Sequence, residues 1–257
     1  MWMRNEKLRR FIGGNSLARS LTCGLQNRLQ MSLLAGHKKP VTIERLRDAT
    51  RRSASLLSSD EAFMLHEFAQ AQAALPGVMA EFGVYQGASA AVLCAAKGSR
   101  PLHLFDTFEG LPEPSTKDGK VFSSGQFKGT LPRVKNALRG YTDVHYHRGI
   151  FPETAHGLED LRFSFVHLDV DLHDATLAGL EFFYPRMVPG GIILTHDHSI
   201  IEGVARAFSE FFGDKPERVI ELATTQAMVI RSAPAEAGKL REQQPWMPGI
   251  VNGGRAA

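Results

Sequence analysis

The chain has 257 residues, 43% of them apolar, and a formal net charge of +3. That composition suits one large α/β domain with extensions. Its two cysteines, Cys23 and Cys94, exclude a disulfide framework and fit a reducing compartment. No apolar run reaches the ~18–20 residues that a membrane span needs. The opening MWMRNEKLRRFIGG lacks a hydrophobic signal core, so a cytoplasmic location is expected. Charge is uneven: residues 1–52 hold 12 Lys/Arg against 3 Asp/Glu. No aromatic interleaving or nucleic-acid motif accompanies this basic stretch, which reads as a solvated helical face or an arm, and no nucleic-acid partner is expected.

In chain order, residues 1–36 are rich in Arg and Leu and predict short helices or disorder. Residues 42–74 are more regular. The run SSDEAFMLHEFAQAQAAL has Ser59 or Asp60 as candidate cap, acids in its first turn and apolar positions at helical spacing. Pro76-Gly77 closes it. A buried strand follows at 78–84, a helix over 87–97 and a second strand at 101–106. Residues 107–130 are rich in Gly, Pro, Ser and Thr and predict a long loop of the kind that covers binding sites. Phe108 and Phe127 in it are candidates to cover an adenine or a substrate. A helix near 131–139, strands near 143–147 and 163–169, a helix over 173–184, the turn Pro189-Gly190-Gly191, a strand at 191–196 and a helix over 201–212 come next. Two short strands, 218–222 and 226–231, are spaced as a hairpin. Repeated strand–helix pairs predict a Rossmann-like three-layer α/β sandwich. Its sheet would be mostly parallel and seven-stranded, with a C-terminal antiparallel hairpin. The expected divisions are a basic helical extension or lid (1–75), the main domain (76–232) and a tail (233–257).

Chemistry concentrates where two apolar runs end. The first ends at Asp169 and Asp171, the second at His196, Asp197 and His198. A right-handed crossover would place these tips side by side on the ligand-binding edge of the sheet. Helix capping is the competing reading for Asp169 and Asp171, and a backbone hydrogen bond that for His196 and His198. His103, His145, His147, His167 and His173 read as structural or surface groups, His173 being closest to the aspartates. Earlier, the first strand runs into Glu81-Phe82-Gly83-Val84-Tyr85-Gln86-Gly87-Ala88-Ser89. Gly83 and Gly87 allow a tight turn close to a ligand. The pattern G-x-G-x-x-G is absent, which favours an adenosyl amino acid over a pyrophosphate. Asp106 ends the next strand, where a carboxylate can hold ribose hydroxyls.

EFGVYQGASA, LFDTFEGLPEP, FVHLDVDLHDAT and YPRMVPGGIILTHDH occur in this order. In these motifs the chain resembles the macrocin O-methyltransferase (TylF-like) family over about residues 76–231. FDTFEGLP and LDVDL are the specific motifs. The family has the class I S-adenosylmethionine-dependent methyltransferase fold. It methylates sugar hydroxyls of macrolides and related natural products, with S-adenosylmethionine and a divalent metal, usually magnesium. The first motif and the acid after the fourth strand are also similar to catechol-type O-methyltransferases. The resemblance implies cofactor contacts at Glu81, Gly83, Tyr85, Gly87, Ser89 and Asp106, metal ligands at Asp169, His196 and Asp197, and Asp171 as general base. The family has paired aspartates where His196 and Asp197 stand, and Tyr where His198 stands. An imidazole suits manganese or another transition metal better than magnesium. The expected activity is metal-assisted methyl transfer to a hydroxyl of a sugar or other small molecule, of natural-product or polysaccharide type. Competing readings are a metal-independent enzyme with a His196 or His198 base, a nicotinamide-dependent oxidoreductase, and a non-catalytic cofactor-binding protein. The N-terminal region is a candidate lid, or an interface in a homo-oligomer.

Overall fold

Short apolar runs buried along nearly their whole length, alternating with helices, give a sheet covered on both faces. The computed structural model describes residues 16–233 except Lys120, with side chains from residue 24 onward. The sheet contains β1 (Val78–Phe82), β2 (Leu102–Asp106), β3 (Val144–Arg148), β4 (Phe163–Leu168), β5 (Met187–Thr195), β6 (Ile220–Glu221) and β7 (Ala227–Ile230). Its order is β3-β2-β1-β4-β5-β7-β6. The first five strands are parallel, β7 runs antiparallel to β5, and β6 antiparallel to β7. This is the expected seven-stranded Rossmann-like sandwich with its terminal antiparallel pair. The chain moves outward one way through β1, β2 and β3, then returns to β4 beside β1. That reversal is the switch point at which open α/β sheets hold ligands.

The helices are α1 (Ser16–Ala35), α2 (Pro40–Arg51), α3 (Ser59–Gln72), α4 (Ala88–Ala96), α5 (Leu131–Ala137), α6 (His173–Phe183) and α7 (Glu202–Phe212). Alternate strand residues feed two cores. Met79, Leu102, Leu104, Phe165, Ile192 and Leu194 pack with Leu46 and Ala49 of α2, Ala62, Leu65 and Ala69 of α3, and Ala90–Leu93 of α4. Ala80, Phe82, Phe105, Val166, Leu168 and Ile193 pack with Leu180 and Phe183 of α6 and Val204, Phe208 and Phe212 of α7. Helices α2 and α3 therefore form part of one covering layer of the sheet and are integral to it. None of the described helices is long and apolar enough to cross a membrane.

Several local details differ from the sequence expectation. Residues 16–35 form one long helix. The cap of α3 is Ser58, with Ser59 as first helical residue, because the reciprocal bonds of the capping box need acceptor and donor three residues apart: Ser58 with Glu61. Pro189-Gly190-Gly191 is no separate turn. It is an irregularity inside β5, where Phe163 pairs with Met187 but Phe165 with Ile192. Gly190, at φ +81°, supplies the left-handed residue that this register shift needs. Residues 107–119 and 121–130 belong to a loop folded on itself by Leu111 N–H donating to Gln126 O and Gly125 N–H to Leu111 O. Asp118 accepts from the His173 backbone amide (2.6 Å) and ties the loop to α6. The tail expected from residue 233 onward lies almost wholly outside the described residues.

Candidate active site

Register places the strand tips together. Leu168 pairs with Thr195, so Asp169 and His196 leave adjacent strands at one level, joined by His196 N–H donating to Leu168 O (2.9 Å). Asp169 N–H in turn donates to Phe82 O at the end of β1 (2.8 Å). Above these tips opens a cavity with about 1060 Å3 of empty space, counting open solvent at its mouth. Gly83, Val84, Tyr85, Ser89 and Asp106 line one end, and Asp169, Asp171, His196 and Asp197 the other. Ala54–Leu57, between α2 and α3, and Leu111, Phe127 and Ile150 complete the wall.

The glycine-loop end is a closed set of backbone bonds. Asp106 Oδ2 accepts from Val84 N–H (2.7 Å) and Tyr85 N–H (3.0 Å), and Oδ1 from Phe108 N–H (2.6 Å). Burial pushes the Asp106 carboxyl above its ordinary value, although these amides pull the other way. Asp106 thus clamps the loop whatever else it touches. Gly83 has φ +91°, and a Cβ there would lie 1.9 Å from Asp169 O, so only glycine lets the loop meet the β4 tip. Phe127 stands edge-on to Tyr85 (6.1 Å between ring centres), while Phe108 is a core residue.

Two expected cofactor residues do not reach the cavity. Glu81 is fully buried behind it, with Oε1 2.9 Å from His167 Nδ1. Strand alternation explains this: Phe82 and Glu81 face opposite sides of the sheet, and Glu81 shares the face of its cross-strand partner His167. Burial raises its pKa against the opposing pull of His167 and Ser89. Gly87, at φ +87°, begins α4 and packs toward Val134. His198 also misses the cavity. It sits beside Phe208 and 3.6 Å from Glu221, which removes it as a base in the site. His173 bonds Asp174 and Glu210 and anchors α6.

The other end gathers charge. His196 Nδ1 lies 3.4 Å from Asp169 Oδ1 and 3.3 Å from Asp197 Oδ1, and Nε2 lies 3.4 Å from Glu61 Oε2. Neither nitrogen has a well-formed hydrogen bond. Burial opposes a charged imidazole, yet Asp197 and Asp169 push the His196 pKa well above its ordinary value. Burial likewise opposes the Asp169 carboxylate, but His196 holds its pKa below normal. Asp171 is pushed well up, first by burial, then by the charges of Asp169 and Asp197. Tyr85, Phe127, Asp171 and Asp197, all on the cavity wall, have left-handed backbones with φ between +49° and +61°. Such conformations cost energy in non-glycine residues and collect at functional sites.

Sequence reasoning missed Glu61 and Thr225. Glu61 read as a first-turn acid of a distant helix, and Thr225 as a hairpin residue. Thr225 Oγ1 lies 2.6 Å from Glu61 Oε1 and 3.2 Å from Asp197 Oδ1, so one proton serves two carboxylates. Only the docking of α3 and of the β6–β7 turn onto the strand tips makes them neighbours.

A family model described as macrocin-O-methyltransferase (TylF) matches residues 63–222. The chain belongs to that family. A curated relative of this chain is the 8-demethyl-8-(2,3-dimethoxy-alpha-L-rhamnosyl)-tetracenomycin-C 4'-O-methyltransferase of Streptomyces olivaceus. The two are 30% identical over 142 residues, 49% of this chain and 54% of the relative. The match thus spans about half the length of that relative. Among solved structures, the O-methyltransferase NovP has a TM-score of 0.63 at 19% identity, covering 82% of this chain and 100% of NovP. Calicheamicin methyltransferase CalS11 has a TM-score of 0.61 at 19% identity, covering 80% of this chain and 91% of its own. At these identities the likeness is one of fold.

Proposed function

We propose that this macrocin-O-methyltransferase family member transfers a methyl group from S-adenosylmethionine to a hydroxyl of a sugar-bearing small molecule, assisted by a divalent cation. The carrying observation is the convergence of Asp169, Asp171, His196 and Asp197 on the cavity floor, beside the glycine loop. The curated relative's action on a rhamnosyl group supports the sugar.

The residues fit both bound groups. Ligand atoms of Asp169, His196 and Asp197 all lie within 4.8 Å of one another, and two carboxylates with one imidazole suit manganese and its neighbours as well as magnesium. Both His196 nitrogens lack a satisfied partner. The cavity wall offers Gly83, Tyr85 and Phe127 to a donor and the acids to an acceptor. When bound, S-adenosylmethionine supplies the methyl group, and the cation supplies positive charge that makes an acceptor hydroxyl more acidic.

The chain's residues do the rest. Gly83 and the Asp106 clamp shape the wall along which the donor lies, and alignment of donor and acceptor is the main demand of an in-line displacement. Asp169 and Asp197 present oxygens to the cation. Asp171 accepts the acceptor's proton at its carboxylate. Burial and the charges of Asp169 and Asp197 raise its pKa, and a cation that offset those neighbours would favour the ionised carboxylate that a base needs. His196 is a poor base: three carboxylates crowd its two nitrogens at 3.3–3.4 Å, and a nitrogen given to a cation has no lone pair left for a proton.

Calorimetry with S-adenosylmethionine and with NAD+ tests the donor: the first should bind and the second should not. Transfer of labelled methyl to rhamnosylated acceptors should stop on chelation and return with Mn2+, Co2+, Ni2+ or Zn2+. Return with Mg2+ alone would remove His196 from the ligand set.

A further inference from the structure

Two histidine groups lie away from the cavity, and neither builds a site. His103 Nδ1 and His147 Nε2 lie 3.0 Å apart and satisfy each other, while His145 stacks on His103 with its Nε2 2.9 Å from Asp143 Oδ1. His173 is fully committed to Asp174 and Glu210. Glu61 is different. Its carboxylate is buried at 6% exposure, on a helix otherwise concerned with covering the sheet.

We propose that Glu61 is a positioning residue of the active site: it holds the Nε2 edge of His196 and thereby turns Nδ1 toward Asp169 and Asp197. The inference rests on reading the strand tips as a cation-assisted methyl-transfer site. Capping alone does not account for Glu61. Ser58 N–H donates to Oε2 (2.8 Å) and Glu61 N–H to Ser58 Oγ (3.3 Å), which makes the capping box, and Ser58 Oγ also lies 2.8 Å from Oε2. A capping glutamate can do that from solvent. A buried carboxylate must instead be surrounded by donors. Here Thr225 Oγ1 lies against Oε1, and His196 Nε2 faces Oε2.

An imidazole that offers Nδ1 to a cation carries its proton on Nε2, and that proton needs an acceptor to fix ring orientation. Glu61 is the carboxylate facing it. Thr225 joins this support to Asp197 through its shared proton. Both residues lie just outside the stretch 63–222 that the family model matches. Helix α3 and the β6–β7 turn therefore set the ligand geometry from either side of the core fold.

The test is titration of the metal-free full chain with MnCl2, followed by the EPR signal of free Mn2+, without donor or acceptor. Glu61→Ala should weaken Mn2+ binding by about tenfold or more. Glu61→Gln keeps a capping side chain, yet should weaken binding by a smaller factor because the charge is lost. Thr225→Val should do the same, and carries the test if Glu61→Ala does not fold. With saturating Mn2+, kcat should fall in the Glu61 variants while KM for S-adenosylmethionine stays unchanged. Wild-type Mn2+ affinity in Glu61→Ala, or in both Glu61→Gln and Thr225→Val, would overturn the proposal. So would a wild-type chain that takes up no Mn2+. Failure of the methyl-transfer reading would appear separately, as Mn2+ binding responsive to Glu61 in a chain that neither binds S-adenosylmethionine nor methylates.

Discussion

The two ends of the cavity are built on opposite terms. At the glycine-loop end the polar groups find partners within the chain: Asp106 is saturated by three backbone amides, and Gly83 fits against the Asp169 carbonyl. At the acidic end they do not. His196 has no well-formed hydrogen bond, and Asp171 stands against two like charges. The first end is closed by its own hydrogen bonds, and the second concentrates charge that the chain leaves unbalanced. Substitutions at the closed end should therefore act through stability. Those at the charged end should act through turnover.

The largest effect is expected at Asp171. Asp171→Asn should lower kcat by roughly 10²–10⁴ while S-adenosylmethionine affinity by calorimetry stays near wild type; unchanged turnover would show that the acidic end does not handle the proton. Gly83→Ala comes next, since its Cβ would enter the Asp169 carbonyl at 1.9 Å and its φ of +91° is unfavourable. It should cost about 3 kcal/mol or more in denaturant unfolding. A mild loss would mean that the β1 and β4 tips can separate. Asp106→Asn leaves an amide nitrogen facing a backbone N–H, which should cost about 1.5–3 kcal/mol and raise KM for the donor. A large rise in KM without loss of stability would move Asp106 from clamp to ligand contact.

The smallest effect tests a site remote from both ends. Burial opposes the charge of Glu217, but Tyr184 Oη, the Ser232 amide and Arg231 outweigh it and hold its pKa at about 2, against an ordinary 4.5. The stabilisation is complete above pH 4.5 and disappears as pH falls toward 2. Glu217→Gln should flatten the acid limb of a stability–pH curve over that window and leave kcat untouched. An altered kcat would break the separation between scaffold and site.

Legibility differed between residues for physical reasons. Asp169, Asp171, His196 and Asp197 were readable because each ends an apolar run, and parallel strands in a right-handed crossover must end on the same edge. Tyr85, Ser89 and Asp106 were readable from the strand-to-helix turn and the next strand end. Glu81 was placed at the right strand but on the wrong side of the wall, since the last residues of β1 alternate between faces. His198 looked equivalent to His196. The turn after Asp197, whose carbonyl accepts from the Ile200 and Ile201 amides, carries it toward β6 instead.

Local order along the chain was enough to establish the alternation of strands and helices, the switch point and the four ionisable groups at its edge. Those follow from hydrophobic period and chain connectivity, which act over tens of residues. Tertiary packing alone decided that Glu61 and Thr225 close around His196, that residues 54–57 wall the cavity, and that Glu81 stands behind it. These contacts join segments far apart in the chain, as where Glu61 meets Thr225 164 residues later, or depend on which face of a strand is used. Both are settled by how whole layers dock, and no short stretch of sequence encodes that.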